Sequence, residues 1–165
     1  MATCVEALYD EDFYAWAMDQ AAALRGLAEL RPNVGLDFAH LVEEIEDLAR
    51  AERNAVRRQL RRSIERCLKL EHSPASHPRA GWQASIDDAR HEIADRLTPT
   101  ILRDLAHDLS TLFAQARRIP ANALAAAGEQ AAADALPAAS PYHLDFLLAD
   151  DWYPPSRQVA DDVDL

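Results

Sequence analysis

The sequence predicts an all-α protein, built as a single helical bundle of four main helices with a long second helix and a short C-terminal helix. Alanine is very abundant and only four of the 165 residues are glycine, a composition that favours helix over strand. Apolar residues recur at the spacing of helices, and no segment shows the alternation of a strand. We expect one bundle domain over residues 1–155 and a disordered acidic tail over residues 156–165.

The first two helices are predicted from the spacing of their apolar residues. The first spans about residues 10–29, and three acids at positions 10–12 lie in its first turn, where the helix dipole favours negative charge. The second spans about residues 37–71, with Asp37 as its N-cap. The predicted buried stripe of the second helix comprises Leu41, Ile45, Leu48 or Ala49, Val56, Leu60, Ile64 and Cys67.

The third and fourth helices follow a loop that is predicted over residues 72–81. The third helix is expected over residues 82–97. Thr98 and Pro99 are typical of the N-cap and the first position of a helix, so the fourth helix is predicted to start there. Pro120 is expected to end the fourth helix, because proline lacks the backbone N–H that an interior position donates.

The region after the fourth helix is less patterned. Residues 121–139 are alanine-rich and predict one or two short helices with loop, and their path stays open. Ser140 and Pro141 form another pair typical of a helix start, which is expected to open the short C-terminal helix that runs to Leu148.

The charge and composition limit the possible partners and compartment. The chain has 17 basic and 28 acidic residues, a net charge of −11, which opposes binding to nucleic acid or anionic membranes except through a local basic patch. No apolar run approaches the roughly 18 residues of a membrane-spanning helix, and the first residues lack the features of a signal peptide. Cys4 and Cys67 are isolated, as is usual in a reducing compartment. Sixteen arginines against one lysine are typical of a GC-rich genome, so we expect a bacterial cytoplasmic protein.

The predicted second helix carries acid near one end and base near the other. Residues 43–47 include four acids, whereas residues 50–66 include seven arginines. This order suits the helix dipole, so a solvated or self-paired face is one explanation. Contact with a protein partner and contact with nucleic acid are the other two. The candidate anion-binding face consists of Arg50, Arg57, Arg58, Arg61 and Arg62, which helical spacing places on one side.

One carboxylate of the second helix is placed near the apolar stripe. Glu52 lies between Leu48 and Val56 by its helical angle, and a carboxylate there needs a partner because burial of an unpaired charge is costly. Arg90 lies at the edge of the apolar face of the third helix. We therefore predict that Arg90 pairs with Glu52 or Glu44 across the bundle, the alternative being that Glu52 lies at a solvated rim.

The chain offers weak candidates for metal binding and catalysis. The pairs with the acid–histidine spacing of metal-binding bundles are Asp88 with His91, Asp104 with His107 and, reversed, His40 with Glu43. Helical angles turn the first two pairs away from the apolar stripes, whereas a bundle metal site must point inward. No metal, cofactor or catalytic residue is therefore predicted. The chain also lacks a nucleophile motif and a glycine-rich phosphate loop, so we expect that it is not an enzyme.

Five segments occur in a recognisable order along the chain. They are YDEDFYAW at 9–16, LVEEIEDL at 41–48, Trp82 followed by Ile86, Arg90 and Ile93, then AR at 116–117 and PY at 141–142. With these segments the chain resembles the bacterial domain-of-unknown-function family numbered twenty-nine, from about Tyr9 to Pro154. The resemblance implies an all-α bundle in a bacterial cytoplasmic protein, and it implies no activity. Because Glu43, Glu44 and Arg90 match family positions, they join Glu52 in a candidate polar network.

These observations favour a non-enzymatic protein-interaction or self-associating helical module. The charge-segregated second helix and the missing catalytic motif are the reasons for this hypothesis. One alternative is nucleic-acid binding through the candidate anion-binding face. The other is a small-molecule or metal site between helices, which would use Glu43, Glu44 and Arg90.

Overall fold

The computed structural model describes residues 2–30 and 33–157 of the chain, with side chains from residue 7 onward. The described residues form seven helices and no strand, so the predicted all-α class is confirmed. The helix of 35 residues is the longest, as predicted for the second main helix. The helices are α1 (Ala2–Glu11), α2 (Phe13–Glu29), α3 (Phe38–His72), α4 (Arg79–Ala94), α5 (Pro99–Ala126), α6 (Gln130–Asp134) and α7 (Leu144–Leu148).

Two compact units divide the chain. The first unit comprises residues 1–56 and 96–104, and the second comprises residues 57–95 and 105–165. Helices α3 and α5 each contribute residues to both units. A single bundle over residues 1–155 stays a prediction, and so does the acidic tail, of which residues 158–165 lie outside the described residues.

Asp12 separates the first two helices, which the sequence predicted as one helix from residue 10. Its buried carboxylate caps α2 by accepting a hydrogen bond from the Ala15 N–H at 3.0 Å, and its second oxygen accepts from the Thr100 N–H at 2.7 Å. Burial raises the pKa of Asp12, but these hydrogen bonds outweigh it and the pKa is lowered. The predicted start was wrong because the N-cap is Asp12, and residues 10 and 11 belong to α1.

Helix α3 begins directly after Asp37, as predicted, and the Asp37 carboxylate accepts from the His40 N–H at 3.2 Å. The predicted stripe from Val56 to Cys67 is buried, but the N-terminal half is different. Leu41 and Leu48 are 40% and 52% exposed, whereas Val42 and Ala49 are buried. Of the two predicted alternatives Leu48 and Ala49, Ala49 is the buried one, and Val42 is buried in place of the predicted Leu41.

Helices α4 and α5 begin near the predicted positions. Helix α4 starts at Arg79, three residues before Trp82, and it ends at Ala94. The start of α5 is confirmed, because Pro99 is its first residue and the Thr98 hydroxyl accepts from the Ile101 N–H at 3.3 Å.

Pro120 lies inside α5 and does not end it, contrary to the prediction. Pro120 and Leu124 are both buried, and burial of this turn offsets the roughly 3 kcal/mol that an interior proline costs. The helix is closed by Gly128, whose φ of 81° suits the left-handed position of a Schellman motif. The Glu129 N–H then donates to the Leu124 carbonyl at 2.9 Å.

Ser140 does not cap the C-terminal helix, so that prediction was wrong. Its hydroxyl accepts from the Tyr142 N–H at 3.2 Å and donates to the Tyr142 carbonyl at 3.0 Å. Such local side-chain bonds compete with helix formation. Helix α7 consequently begins at Leu144, and α6 occupies part of the alanine-rich stretch.

Each unit has its own apolar core among the described residues. The buried apolar residues of the first unit are Ala17, Ala21, Val42, Ala49, Val56 and Ile101. The large side chains that are fully buried in the second unit are Leu60, Ile64, Leu68, Leu70, Ile86, Ile93, Leu105, Leu112, Phe113 and Leu147.

Candidate functional site

The end of α2 and the start of α3 carry large apolar side chains that are exposed. We call residues 27–30 and 33–41 the apolar segment. Its exposed apolar residues are Leu27 (45%), Leu30 (77%), Val34 (53%), Leu36 (55%) and Leu41 (40%). Single exposed apolar residues are common on folded proteins, whereas here five of them lie within one short segment of the chain.

A cleft of about 640 Å³ lies between α2 and α3 in the first unit. Its apolar lining comes from Ala28, Phe38, Ala39 and Val42, most of which belong to the apolar segment. Its charged lining consists of Arg25, Glu29, Glu43, Glu46 and Arg50. The cleft therefore combines an apolar lining with charges of both signs.

Three of these charged residues form an ion cluster. Glu46 accepts hydrogen bonds from Arg25 and from the Nη1 of Arg50, the latter at 3.2 Å. The hydrogen bond from Arg25 holds the pKa of Glu46 below its usual range. Arg50 also donates to Asp47 at 2.6 Å. These contacts place both arginines beside Glu46 at the cleft.

The residues of the candidate polar network have other partners than those predicted. Glu43 and Glu44 are exposed on α3. Glu52 accepts two hydrogen bonds from Arg96, at 2.9 and 3.1 Å, within the first unit. Arg90 lies in the second unit and bonds to backbone carbonyls. The predicted pairing of Arg90 with Glu52 or Glu44 is thus replaced by two separate sets of contacts.

Arg90 anchors the C-terminal segment of the second unit. Its side chain is only 1% exposed. The carbonyls that accept its hydrogen bonds are those of Leu147 (3.1 Å), Trp152 (2.6 Å), Asp150 (3.3 Å) and Phe146 (3.4 Å). The last carbonyls of a helix such as α7 have no partner within the helix. Arg90 supplies donors to them, and this explains why a guanidinium is buried here.

Glu71 forms a second buried polar cluster, which the sequence did not predict. Its carboxylate accepts from the Tyr142 hydroxyl at 2.6 Å and from the Arg157 Nε at 2.7 Å. The neighbouring His72 is buried, and its Nε2 makes no hydrogen bond among the described residues. Burial lowers the pKa of His72 and raises the pKa of Tyr142. Tyr142 belongs to the Pro141–Tyr142 segment of the family resemblance, which is the sequence signal that could have identified this cluster.

The five arginines of the candidate anion-binding face have different environments. Arg50 and Arg57 pair with carboxylates. Among the described residues, Arg61 and Arg62 bond to neutral side chains, and Arg58 is exposed. The face is therefore not one continuous unpaired basic surface.

Groups suited to chemistry are sparse in the described part of the chain. No three of its histidine, cysteine or acidic residues are grouped so that they could hold a metal ion. Asp88, His91 and His107 are exposed, in agreement with their outward helical angles. Burial raises the pKa of the Cys67 thiol to about 12, and a protonated thiol is a poor nucleophile. No helix in this part has the length and hydrophobicity to cross a membrane.

Comparisons with known proteins give a fold and a family. No curated protein matches the chain. Among solved structures, the chain is similar to an α-helical protein of unknown function from Rhodospirillum rubrum, with 26% identity and a TM-score of 0.77 over 87% of this chain and 90% of that chain. The sequence pattern of the family described as "Domain of unknown function DUF29" matches residues 8–153. Since this match covers most of the chain, including the segments on which the resemblance was based, the chain belongs to the DUF29 family.

Proposed function

We propose that the protein is a non-enzymatic, self-associating helical module in which two copies meet through the apolar segment of the first unit. The exposed apolar side chains of that segment carry the proposal. Leu30, Val34 and Leu36 are each more than half exposed. Their burial against a second copy removes apolar surface from water, which favours association.

The charges around the cleft favour a second copy of the chain as the occupant. In a two-fold pair the same patch meets itself, so a charged patch needs both signs to be self-complementary. The cleft combines Arg25 and Arg50 with Glu29, Glu43 and Glu46. This set has a net charge of −1, within a unit that contains 13 acidic and six basic residues. The cleft is therefore a place where repulsion between two acidic copies is small.

The environment of the reactive groups supports a non-enzymatic role. Cys67 is buried with a raised pKa, and His72 is buried beside Glu71 with a lowered pKa. Neither group lines one of the clefts described for the two units. A substrate in those clefts has no access to a nucleophile or a general base from this pair.

Nucleic-acid binding, the alternative that the sequence raised, has weaker support. Arg50 and Arg57 of the candidate anion-binding face pair with carboxylates of the same chain. The net charge of −11 also repels a polyanion beyond the local contact.

Sedimentation equilibrium over a range of protein concentrations and salt concentrations tests the proposal. We expect a dimer whose affinity is maintained or increased as salt rises, because salt screens the repulsion between two acidic copies and leaves the apolar contact intact. Binding to nucleic acid has the opposite dependence and weakens steeply with salt. A strict monomer at every concentration contradicts the proposal.

Substitutions in the apolar segment locate the interface. Leu30→Glu and Leu36→Glu are expected to abolish the dimer, because each places an unpaired carboxylate in a surface that becomes buried. The matched control is Leu102→Glu, which adds the same charge at a 38% exposed leucine of α5 in the same unit. We expect this control to remain dimeric. Equal disruption by the control would assign the dimer to a surface outside the apolar segment.

A further inference from the structure

The arginines of α3 differ in whether a carboxylate neutralises them. Arg50 and Arg53 pair with carboxylates in the first unit, and Arg57 pairs with Asp108 in the second. The next three arginines of the helix, Arg58, Arg61 and Arg62, have no carboxylate partner among the described residues. Arg61 donates a hydrogen bond to the Gln115 Oε1 at 3.1 Å, and Arg62 donates one to the Ser85 Oγ at 3.1 Å. Arg58 has no such contact among the described residues.

The same three arginines line one cleft of the second unit. Arg58, Arg61 and Arg62 of α3 lie with Gln115 and Ile119 of α5 around a volume of about 230 Å³. The one carboxylate of the lining is that of Glu65, and it already contacts the Lys69 Nζ at 3.1 Å and Arg66 at 3.6 Å. The cleft therefore concentrates positive charge that the surrounding described residues leave unneutralised.

The size of the cleft limits what it holds. Its volume is below the roughly 300–1,000 Å³ of pockets for drug-sized ligands, so it suits a single anionic group. A neighbouring cleft of about 550 Å³ shares Arg62, and its lining includes Trp82, His77 and Ser85 together with the charged residues Arg66 and Asp88. Because Arg62 lines both clefts, a group that binds to Arg62 is adjacent to both of them.

We propose that the smaller cleft binds the phosphate group of a small phosphorylated ligand, whose organic part lies against Trp82 in the larger cleft. A guanidinium has five N–H donors in a planar fork that matches phosphate oxygens. Gln115 and Ser85 each occupy one donor of Arg61 or Arg62, which orients the side chain and leaves the other donors available. Charged donors of this kind form strong hydrogen bonds to oxyanions.

The surrounding charge favours a small ligand over a nucleic acid. Apart from the three arginines, the described residues of the second unit include 12 acidic and eight basic residues, so a polyanion that extends beyond the cleft meets more negative than positive charge. A ligand with one phosphate or diphosphate group confines its charge to the three arginines. The lining of this cleft includes no residue of the apolar segment. The proposed phosphate site can therefore be disproved without affecting the proposed self-association.

Calorimetric titration of the full chain with pyrophosphate and with adenosine diphosphate, at constant ionic strength set by chloride, tests the site. Both are expected to bind, and Arg58→Gln and Arg62→Gln are each expected to weaken binding about tenfold, the loss of one charged hydrogen bond. The control Arg103→Gln makes the same charge change at an exposed residue of the first unit, and we expect it to bind like the unmodified chain. Trp82→Ala is expected to weaken adenosine diphosphate and to leave pyrophosphate unchanged.

Three results would overturn the proposal. The first is the absence of binding by both probes. The second is equal affinity of Arg58→Gln and the unmodified chain, which is decisive because Arg58 is exposed and its substitution breaks no described contact. The third is binding of a short DNA duplex that is tighter than that of either small probe and is lost in the same variants. That outcome would assign the arginines to a polyanion.

Discussion

Among the described residues, the first unit buries mainly alanine and valine and exposes eight large apolar side chains, whereas the second unit buries mainly leucine and isoleucine and exposes two. Ala17, Ala21 and Ala49 are fully buried in the first unit, in which Leu30 and Leu36 are more than half exposed. In the second unit most of the fully buried apolar positions hold leucine, isoleucine or phenylalanine. Because a buried leucine removes much more apolar surface from water than a buried alanine, the second unit gains more stability from each core position.

The two units also differ in the charged side chains that they bury. The second unit buries Arg90 and Glu71, and both are satisfied by several hydrogen bonds. In the described part of the first unit, Asp12 is the buried charged residue, and it serves as a helix cap. The second unit thus buries two charged side chains that several hydrogen bonds satisfy, while the first leaves more of its large apolar side chains exposed.

Replacement of Arg90 by methionine is expected to have the largest effect on stability. The change removes the guanidinium donors to four backbone carbonyls of the C-terminal segment, of which the Phe146 carbonyl keeps the Ala149 N–H as a donor. We expect a loss of about 3–5 kcal/mol in the free energy of unfolding, since unsatisfied buried polar groups are costly. Urea denaturation followed by circular dichroism measures it.

The control for this substitution is Arg79→Met. Arg79 donates one hydrogen bond to the Leu70 carbonyl, at 2.8 Å, and it is less buried than Arg90. We expect this variant to lose about 1 kcal/mol, the net value of a single hydrogen bond. If the two variants lost the same stability, Arg90 would not be the anchor of the segment.

A pair of leucine truncations compares the two units directly. Leu60 is fully buried in the second unit, and Leu30 is 77% exposed in the first. Leu60→Ala is expected to cost about 2–5 kcal/mol through lost burial and the cavity that it leaves. Leu30→Ala is expected to change the stability of the monomer by less than about 0.5 kcal/mol. Thermal and urea unfolding at low protein concentration measure both, and a large loss for Leu30→Ala would mean that this residue packs within the unit.

The elements that the sequence predicted well are those with local signals. The Asp37 cap, the Thr98–Pro99 start and the stripe from Val56 to Cys67 depend on residues within one or two turns of each other. Helical spacing and capping chemistry are sufficient to identify such features. Pro120 was misassigned because its cost is local, whereas the burial that compensates for it is tertiary.

The candidate sites depended on contacts that are distant in sequence. Arg90 binds carbonyls more than 50 residues away, and backbone carbonyls leave no trace in the residue types of a sequence. A carboxylate was therefore the natural partner to predict for it. The exposure of Leu41 was missed for a related reason. Hydrophobicity predicts burial within a unit, and it does not distinguish a core position from a surface that contacts another molecule.

The smallest expected effects concern two histidines, one in each unit, whose pKa values shift in opposite directions. Burial lowers the pKa of His72 in the second unit. The charge of Glu71 raises this pKa, and the charge of Arg157 lowers it further. As the pH falls below about 6.5, the ordinary pKa of histidine, the unfolded chain takes up a proton that folded His72 resists. This histidine therefore makes the protein less stable as the pH falls from 7 towards 5 (about the range over which histidine titrates). We expect His72→Gln to remove that part of the pH dependence of urea unfolding.

His40 of the first unit provides the opposite case. The hydrogen bond to Asp37 raises the pKa of His40, with smaller contributions from Glu43 and Glu44. Its folded form holds the proton more tightly, so its contribution is present below about pH 6.5 and is lost as the pH rises through the folded pKa. His40→Gln is expected to lose stability only on the acidic side, and weakly, because the pair is exposed and screened by solvent. For each variant, the change in the slope of unfolding free energy against pH is measured relative to the unmodified chain. Changes of the same sign in the two variants would mean that burial in the second unit and surface pairing in the first do not set these pKa values.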